Sequence, residues 1–154
     1  MKNKKIMFCA VTVLLVIGIV ALYCMVGDAG KKTDSLVGQY YVKGESAESV
    51  YEKGGTFLSI HKVERDDDGN VTKVTFEIST LQAAPAYRTA ETGRICSEIV
   101  NNCVHFEFTD GWYNYGNGVI ELQDGYLHVK TTLSKKDEDC IWSLEELDND
   151  MFKQ

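Results

Sequence analysis

Two patterns of apolar residues divide this chain. Ile6 to Val26 is an unbroken apolar run without a charged residue. At about 1.5 Å of rise per residue, a run of that length spans the roughly 30 Å hydrocarbon core of a bilayer as one helix. From Val37 onward the pattern becomes strict alternation. Thr56, Leu58 and Ile60 share a face opposite Ser59 and His61. Val74, Phe76 and Ile78 oppose Thr75, Glu77 and Ser79, and Val104, Phe106 and Phe108 oppose His105 and Glu107. A period of two marks strands with one face buried.

Polar turn clusters at Glu64–Asn70, Asn101-Asn102 and Asp124-Gly125 separate these runs, as hairpins require. Strands are expected at 37–42, 56–63, 71–79, 94–100, 103–109, 119–122, 126–133 and 140–144. Thr80–Gly93, with the only proline, Pro85, reads as a loop, and so does Gly111–Gly118. Glu145–Gln154 reads as an acidic tail with a helical turn at most. No strand–helix–strand alternation is present, so the expected class is all-β. A small antiparallel meander closed into a β-barrel fits best, with a sandwich as the other packing.

The apolar run adds an organisation to that fold. Lys2, Lys4 and Lys5 precede it, which places the N-terminus in the cytoplasm and the rest outside. The expected layout is a cytoplasmic basic stub (1–5), a single-pass transmembrane signal anchor (6–26) and a tether (27–35). An extracytoplasmic β-barrel domain (36–147) and an acidic tail (148–154) follow. Two other fates of the run stay open. Gly27 and Ala29 offer small residues for signal-peptide cleavage, and Cys24 stands where a lipidated cysteine would.

A length of 154 residues allows one folded domain. The net charge of −7 argues against a nucleic-acid surface, which needs clustered Lys and Arg. Of the five cysteines, Cys9 and Cys24 lie in the anchor. Cys96 and Cys103 flank the Ser97–Asn102 turn, so a Cys96–Cys103 disulfide is the favoured pairing, with Cys140 left as a buried free thiol. Parity disfavours Cys103–Cys140, because those two side chains leave opposite faces of the sheet.

Catalytic and metal motifs are not found. Glu64-x-Asp66-x-Asp68-Gly69 starts like a calcium loop, but Thr75 stands at the twelfth position where a bidentate Glu is needed. The three histidines, His61, His105 and His128, fall on outward faces without ligand spacing. There is no GxSxG elbow and no pair of carboxylates singled out by position. The expectation is no enzyme, no metal and no cofactor.

One segment stands apart. Asp110 to Gly118 interleaves Trp112, Tyr113 and Tyr115 with Gly, Asn114 and Asn117. Rigid amphipathic rings on a Gly/Asn loop are a recognition chemistry. Asp110, Trp112, Tyr113, Asn114, Tyr115 and Asn117, with Arg88 nearby, are therefore the candidate ligand-binding residues at the barrel mouth. The structural alternative is that Trp112 caps the barrel end while Asp110 and Asn114 bond loop amides. The expected function is a membrane-anchored binding module for a small-molecule or protein ligand. An envelope-associated structural or accessory protein is the alternative.

Gly38-x-Tyr40, Ala86-Tyr87-Arg88-Thr89-Ala90, Phe106-x-Phe108 and Asp110-Gly111-Trp112-x-Asn114-x-Gly116-x-Gly118 are followed by alternating Ile120, Leu122, Leu127 and Val129. Together they resemble small exported or membrane-anchored domains of Gram-positive, clostridia-like bacteria that are similar to lipocalin-like or avidin-like barrels. The resemblance spans about residues 36–147. Tyr113 departs from it, since a small residue is usual after the Trp, and so do Cys96 and Cys103. It implies a fold and a compartment, and no catalytic residue.

Overall fold

The computed structural model describes residues 35–154. The expected anchor at 6–26, the basic stub and nearly all of the tether lie outside the described residues. Among the described residues no helix is long and apolar enough to cross a membrane.

The described chain is mostly β. Its elements are β1 (Gly38–Val42), α1 (Ala47–Lys53), β2 (Gly55–Arg65), β3 (Val71–Gln82), β4 (Arg88–Glu91), β5 (Ile95–Glu98), β6 (Cys103–Thr109), β7 (Tyr115–Leu122), β8 (Leu127–Lys135) and β9 (Asp148–Lys153). All pairings are antiparallel, in the order β4-β3-β2-β1-β9-β8-β7-β6. β5 also pairs with β3, so β4 and β5 share its outer edge in succession. The sheet curls into a half-barrel with the alternating apolar residues on its concave side.

Local chemistry sets the turns. In the β2–β3 hairpin the Asp66 carboxylate accepts the backbone N–H groups of Asp68 and Asn70 at 3.1 and 2.8 Å, a turn mimic that Asp makes readily. α1 was not anticipated from the sequence. It starts on a capping box, with Ser46 and Ser49 bonding each other's backbone N–H, which satisfies two donors that a helix start leaves open. It stops at Gly54, whose φ of 81° suits glycine. Val50 is its buried residue.

The concave face is filled by side chains. Leu58, Phe76, Ile78, Val104, Val129 and Met151 are at or near zero exposure within one cluster. The Phe76 ring meets the Phe106 ring edge-on at 5.0 Å and 75°, joining β3 to β6 across the core. Phe106 and Phe108 stand opposite Gly118 and Gly116. A Cβ at Gly116 would meet the Phe108 ring and lie 2.6 Å from the Thr132 carbonyl oxygen. At Gly118 it would meet the Phe106 ring and lie 2.7 Å from that of Lys130. The glycines are thus seats for cross-strand rings, an arrangement in which the aromatic covers backbone that glycine leaves bare.

The two edges of the curled sheet meet at a seam without a continuous ladder. Val100 and Cys103 form an isolated bridge around Asn101-Asn102. The Ser97 hydroxyl donates to the His105 carbonyl at 3.0 Å. Gly111 N–H donates to Glu91 at 3.1 Å, and the Trp112 indole N–H donates to the Thr89 carbonyl at 2.7 Å.

Several sequence expectations are corrected here. Cys96, Cys103 and Cys140 are all free thiols, so the Cys96–Cys103 disulfide is not formed. The register explains why: Cys103 faces Val100, while Cys96 pairs with Thr75 on β3. The four steps of near-extended chain from Val100 to Cys96 cover roughly 13 Å, beyond the Cα reach of a disulfide, about 7 Å. Cys140–Leu144 is an irregular strap, not a strand. Within the expected acidic tail, Asp148–Lys153 is β9, set between β1 and β8. The expected loop at Gly111–Gly118 is a short turn, with β7 beginning at Tyr115. Part of the expected loop at 80–93 is β4 and the end of β3.

Candidate functional site

The Asp110–Asn114 turn is a structural hub. Asp110 is 3% exposed and Asn114 0%. Asp110 Oδ1 accepts the N–H of Trp112 and of Asn114, both at 2.9 Å, and its Oδ2 accepts the N–H of Leu144 at 2.9 Å. The Asn114 amide donates to both carboxylate oxygens and to the Trp142 carbonyl at 3.1 Å. Its Oδ1 accepts the N–H of Asp137 at 3.0 Å. A buried carboxylate with this many donors has no capacity left for a ligand.

The remaining candidates scatter. The Trp112 indole N–H is occupied by Thr89. Tyr113 is 80% exposed at the tip of the turn. Tyr115 and Asn117 lie on the convex face of β7, where Asn117 donates to the Ser134 hydroxyl at 3.0 Å and Glu107 raises the Tyr115 phenol through a hydrogen bond. Arg88 donates to the Gln82 side-chain oxygen at 3.3 Å on β4–β3. Asp110, Trp112 and Asn114 are brought together, but as a clamp. Tyr113, Tyr115, Asn117 and Arg88 do not converge with them on one concave surface.

What the clamp holds is more informative. Asp110 and Asn114 grip the strap 140–144 at Leu144 and Trp142, and the Cys140 thiol donates to the Trp112 carbonyl. Burial, followed by the charges of Asp137, Asp110 and Asp139, pushes the Cys140 thiol up, which keeps it a proton donor at neutral pH. The strap is one wall of a cleft of about 730 Å³. The β1–α1 turn with Glu45, the start of β2 and the end of β3 also line it.

Three features define the chemistry of this cleft. First, the hydroxyls of Thr56 and Thr80 are buried and 2.8 Å apart. The Thr80 hydroxyl accepts the Glu145 N–H at 3.0 Å, and the Thr56 hydroxyl donates to Glu145 Oε2 at 2.8 Å. Thr56 has one hydrogen, spent on the carboxylate, so Thr80 donates to Thr56. The ring of bonds holds Glu145 by its main chain and by one carboxylate oxygen. Second, burial raises the Glu45 carboxyl, and the charge of Glu145 raises it further. The two acids therefore share one field. Third, Glu45 Oε2 and the Trp142 indole N–H are buried without a hydrogen-bond partner. Glycine at 55 permits the approach of Glu45, whose Oε2 would lie 3.3 Å from a Cβ placed there.

Lys53 and Lys136 also line the cleft, both exposed. Among the described residues neither Glu45 nor Glu145 forms an ion pair. No group of three or more His, Cys, Asp or Glu among those residues is placed to hold a metal ion.

Comparison with protein-family models, with curated proteins and with solved structures gives no significant match to this chain.

The sequence reading passed over Glu45, Glu145, Thr56, Thr80 and Trp142. Thr56 counted only as an inward position, and the two acids belong to polar segments far apart in the chain. The available signal was local: Gly54-Gly55, a glycine pair directly after a helix, marks a place where other groups close on the backbone.

Proposed function

We propose that this protein is a binding module for a small polar ligand, seated in the cleft between Glu45 and the Trp142–Glu145 strap. The observation that carries the reading is the cleft of about 730 Å³, in which Ile141 and Trp142 stand beside the polar side chains of Glu45, Gln82, Glu145 and Asn149. A concavity of this size with aromatic and aliphatic walls and a few polar groups is of the kind that takes a small ligand. The concave face of the sheet is packed with side chains, so the ligand sits at the end of the half-barrel and not along its axis. The curled sheet supports a lipocalin-like or avidin-like barrel. The apolar run 6–26 supports a single-pass anchor that holds the domain outside the cytoplasm.

Saturation-transfer NMR of the full chain against a library of small polar compounds tests the reading. Hits are expected to disappear in Trp142→Ala and Glu145→Gln and to persist in Tyr113→Ala and Tyr115→Ala. The reverse pattern would return the site to the aromatic turn.

A second reading, an accessory protein with no small-molecule ligand, rests on the convex face. There Phe57 stacks on Tyr41 at 5.9 Å and Tyr126 on Phe152 at 5.6 Å, with Tyr41 and Phe152 facing each other across β1 and β9. A library without a single hit would favour it.

A further inference from the structure

The β2–β3 hairpin ends in a turn whose sequence matches an acceptor motif. Asn70-Val71-Thr72 is the one Asn-x-Ser/Thr triplet in the chain, and Asp68 stands two residues before Asn70. Such a triplet accepts an N-linked glycan when it lies on an accessible turn of an exported domain. Accessibility is met here: residues 64–70 are all exposed. The Asn70 side-chain amide donates to Asp66 Oδ2 at 3.1 Å, an exposed bond that water or an enzyme's carboxylate can replace. The register slips between the Glu64–Lys73 and Arg65–Val71 pairs, which leaves Thr72 without a partner residue on β2. Its hydroxyl donates to the Glu64 carbonyl at 3.2 Å. Its own carbonyl accepts the Ile99 N–H at 2.9 Å, where the sheet resumes. The triplet therefore lies where the ladder is interrupted and local opening disturbs least.

We propose that Asn70 is a site of N-linked glycosylation, with a polyprenyl-diphosphate-linked oligosaccharide as donor. Asn70 Nδ2 attacks the anomeric carbon of the donor's first sugar and forms the C–N bond. The bond from that carbon to the diphosphate oxygen breaks, and polyprenyl diphosphate leaves with the electron pair. The amide nitrogen gives one proton to a carboxylate of the transferase. The Thr72 hydroxyl orients the triplet there, and Asp68 offers a carboxylate to a basic group of the enzyme. Transfer takes place outside the cytoplasm, so the proposal rests on the anchor reading of residues 6–26. It does not rest on the cleft. Thr56 lines the cleft near the start of β2, and Arg65 ends that strand at the hairpin. The chain between them covers roughly 30 Å, so a glycan on Asn70 leaves the cleft open.

The full chain in detergent, incubated with a purified single-subunit oligosaccharyltransferase and its lipid-linked oligosaccharide, is expected to gain the mass of one glycan. Asn70→Gln and Thr72→Ala are expected to lose that gain, and Asp68→Ala to lose most of it. Thr72→Ser, which keeps the hydroxyl, is expected to retain it. No gain in the parent chain would overturn the acceptor assignment, whether or not a peptide copying residues 66–74 is modified. A gain that survives in Asn70→Gln would overturn it as well. Expression of the full chain in bacterial cells that carry the same enzyme and donor then tests the compartment, with a single glycan on Asn70 expected. A chain modified in the tube but not in those cells would overturn the placement outside the cytoplasm and keep the acceptor.

Discussion

The main-chain N–H of Leu144 points into the carboxylate of Asp110 at 2.9 Å, a bond between residues 34 positions apart in the chain. It ties the end of the strap to the turn that follows β6, and it fixes one wall of the cleft. Asp110→Asn should therefore cost more than a surface change would. It leaves the N–H groups of Trp112, Asn114 and Leu144 competing for one oxygen. A loss of about 2–4 kcal/mol is expected, the range for breaking a buried hydrogen-bond network. Urea unfolding of the variant measures it, and weakened ligand binding at the cleft should accompany it.

Gly118→Ala should be as damaging by a different route. The added Cβ has no room between the Phe106 ring and the Lys130 carbonyl oxygen, and overpacking of this kind costs about 1–3 kcal/mol. Adding Phe106→Leu should recover part of the loss, because it removes the ring but not the carbonyl. A double-mutant cycle in which the two losses simply add would show that ring and glycine are not coupled.

Stability should depend on His128. Its ring lies 2.8 Å from Asp150 and 3.2 Å from Asp148, and Lys130 shares Asp148 at 2.9 Å. The hydrogen bond to Asp150 is the main cause that raises His128, and the charges of Asp150, Asp148 and Glu121 add to it. A raised folded value means that the contribution is complete below the ordinary value of about 6.5 and is lost as pH climbs through the raised one. Asp148, lowered chiefly by Lys130, works in the other direction: its contribution is lost as pH falls through its lowered value. Urea midpoints should decline as pH climbs from about 6.5 through the raised value in the parent and stay flat over that range in His128→Gln.

The three thiols should sort by environment. Cys96 is exposed, whereas the half-buried Cys140 is held as a donor to Trp112. Brief alkylation followed by peptide mapping should label Cys96 well ahead of Cys140, since the thiolate is the reactive form. A non-reduced digest should contain no Cys96–Cys103 crosslink.

Much of the sheet was legible because its two faces differ in polarity. Phe76, Val104 and Phe106 are buried where alternation put them, and His61 and His105 face outward. The strap misled for a physical reason. Cys140, Trp142 and Leu144 alternate like a strand, yet the N–H of Leu144 goes to a side chain instead of a neighbouring strand. β9 misled in the opposite sense. Asp148 and Asp150 look like a solvated tail until their partners Lys130 and His128 are set beside them on β8. In the aromatic turn Asp110 and Asn114 are turned inward and spend their hydrogen bonds within the fold, whereas Tyr113 and Asn117 face outward. The cleft was not legible, because Glu45 and Glu145 acquire meaning only when the fold brings distant segments together.

One feature of the topology bears on how the protein is made. β9 lies between β1 and β8, so the half-sheet of β1–β4 and the half-sheet of β6–β8 share no ladder until residues 148–153 have emerged from the ribosome. Each half then waits with an open hydrogen-bonding edge, a state that invites pairing with other chains. Synthesis and closure are thus separate events here, and the last strand in sequence is the keystone that ends the exposure.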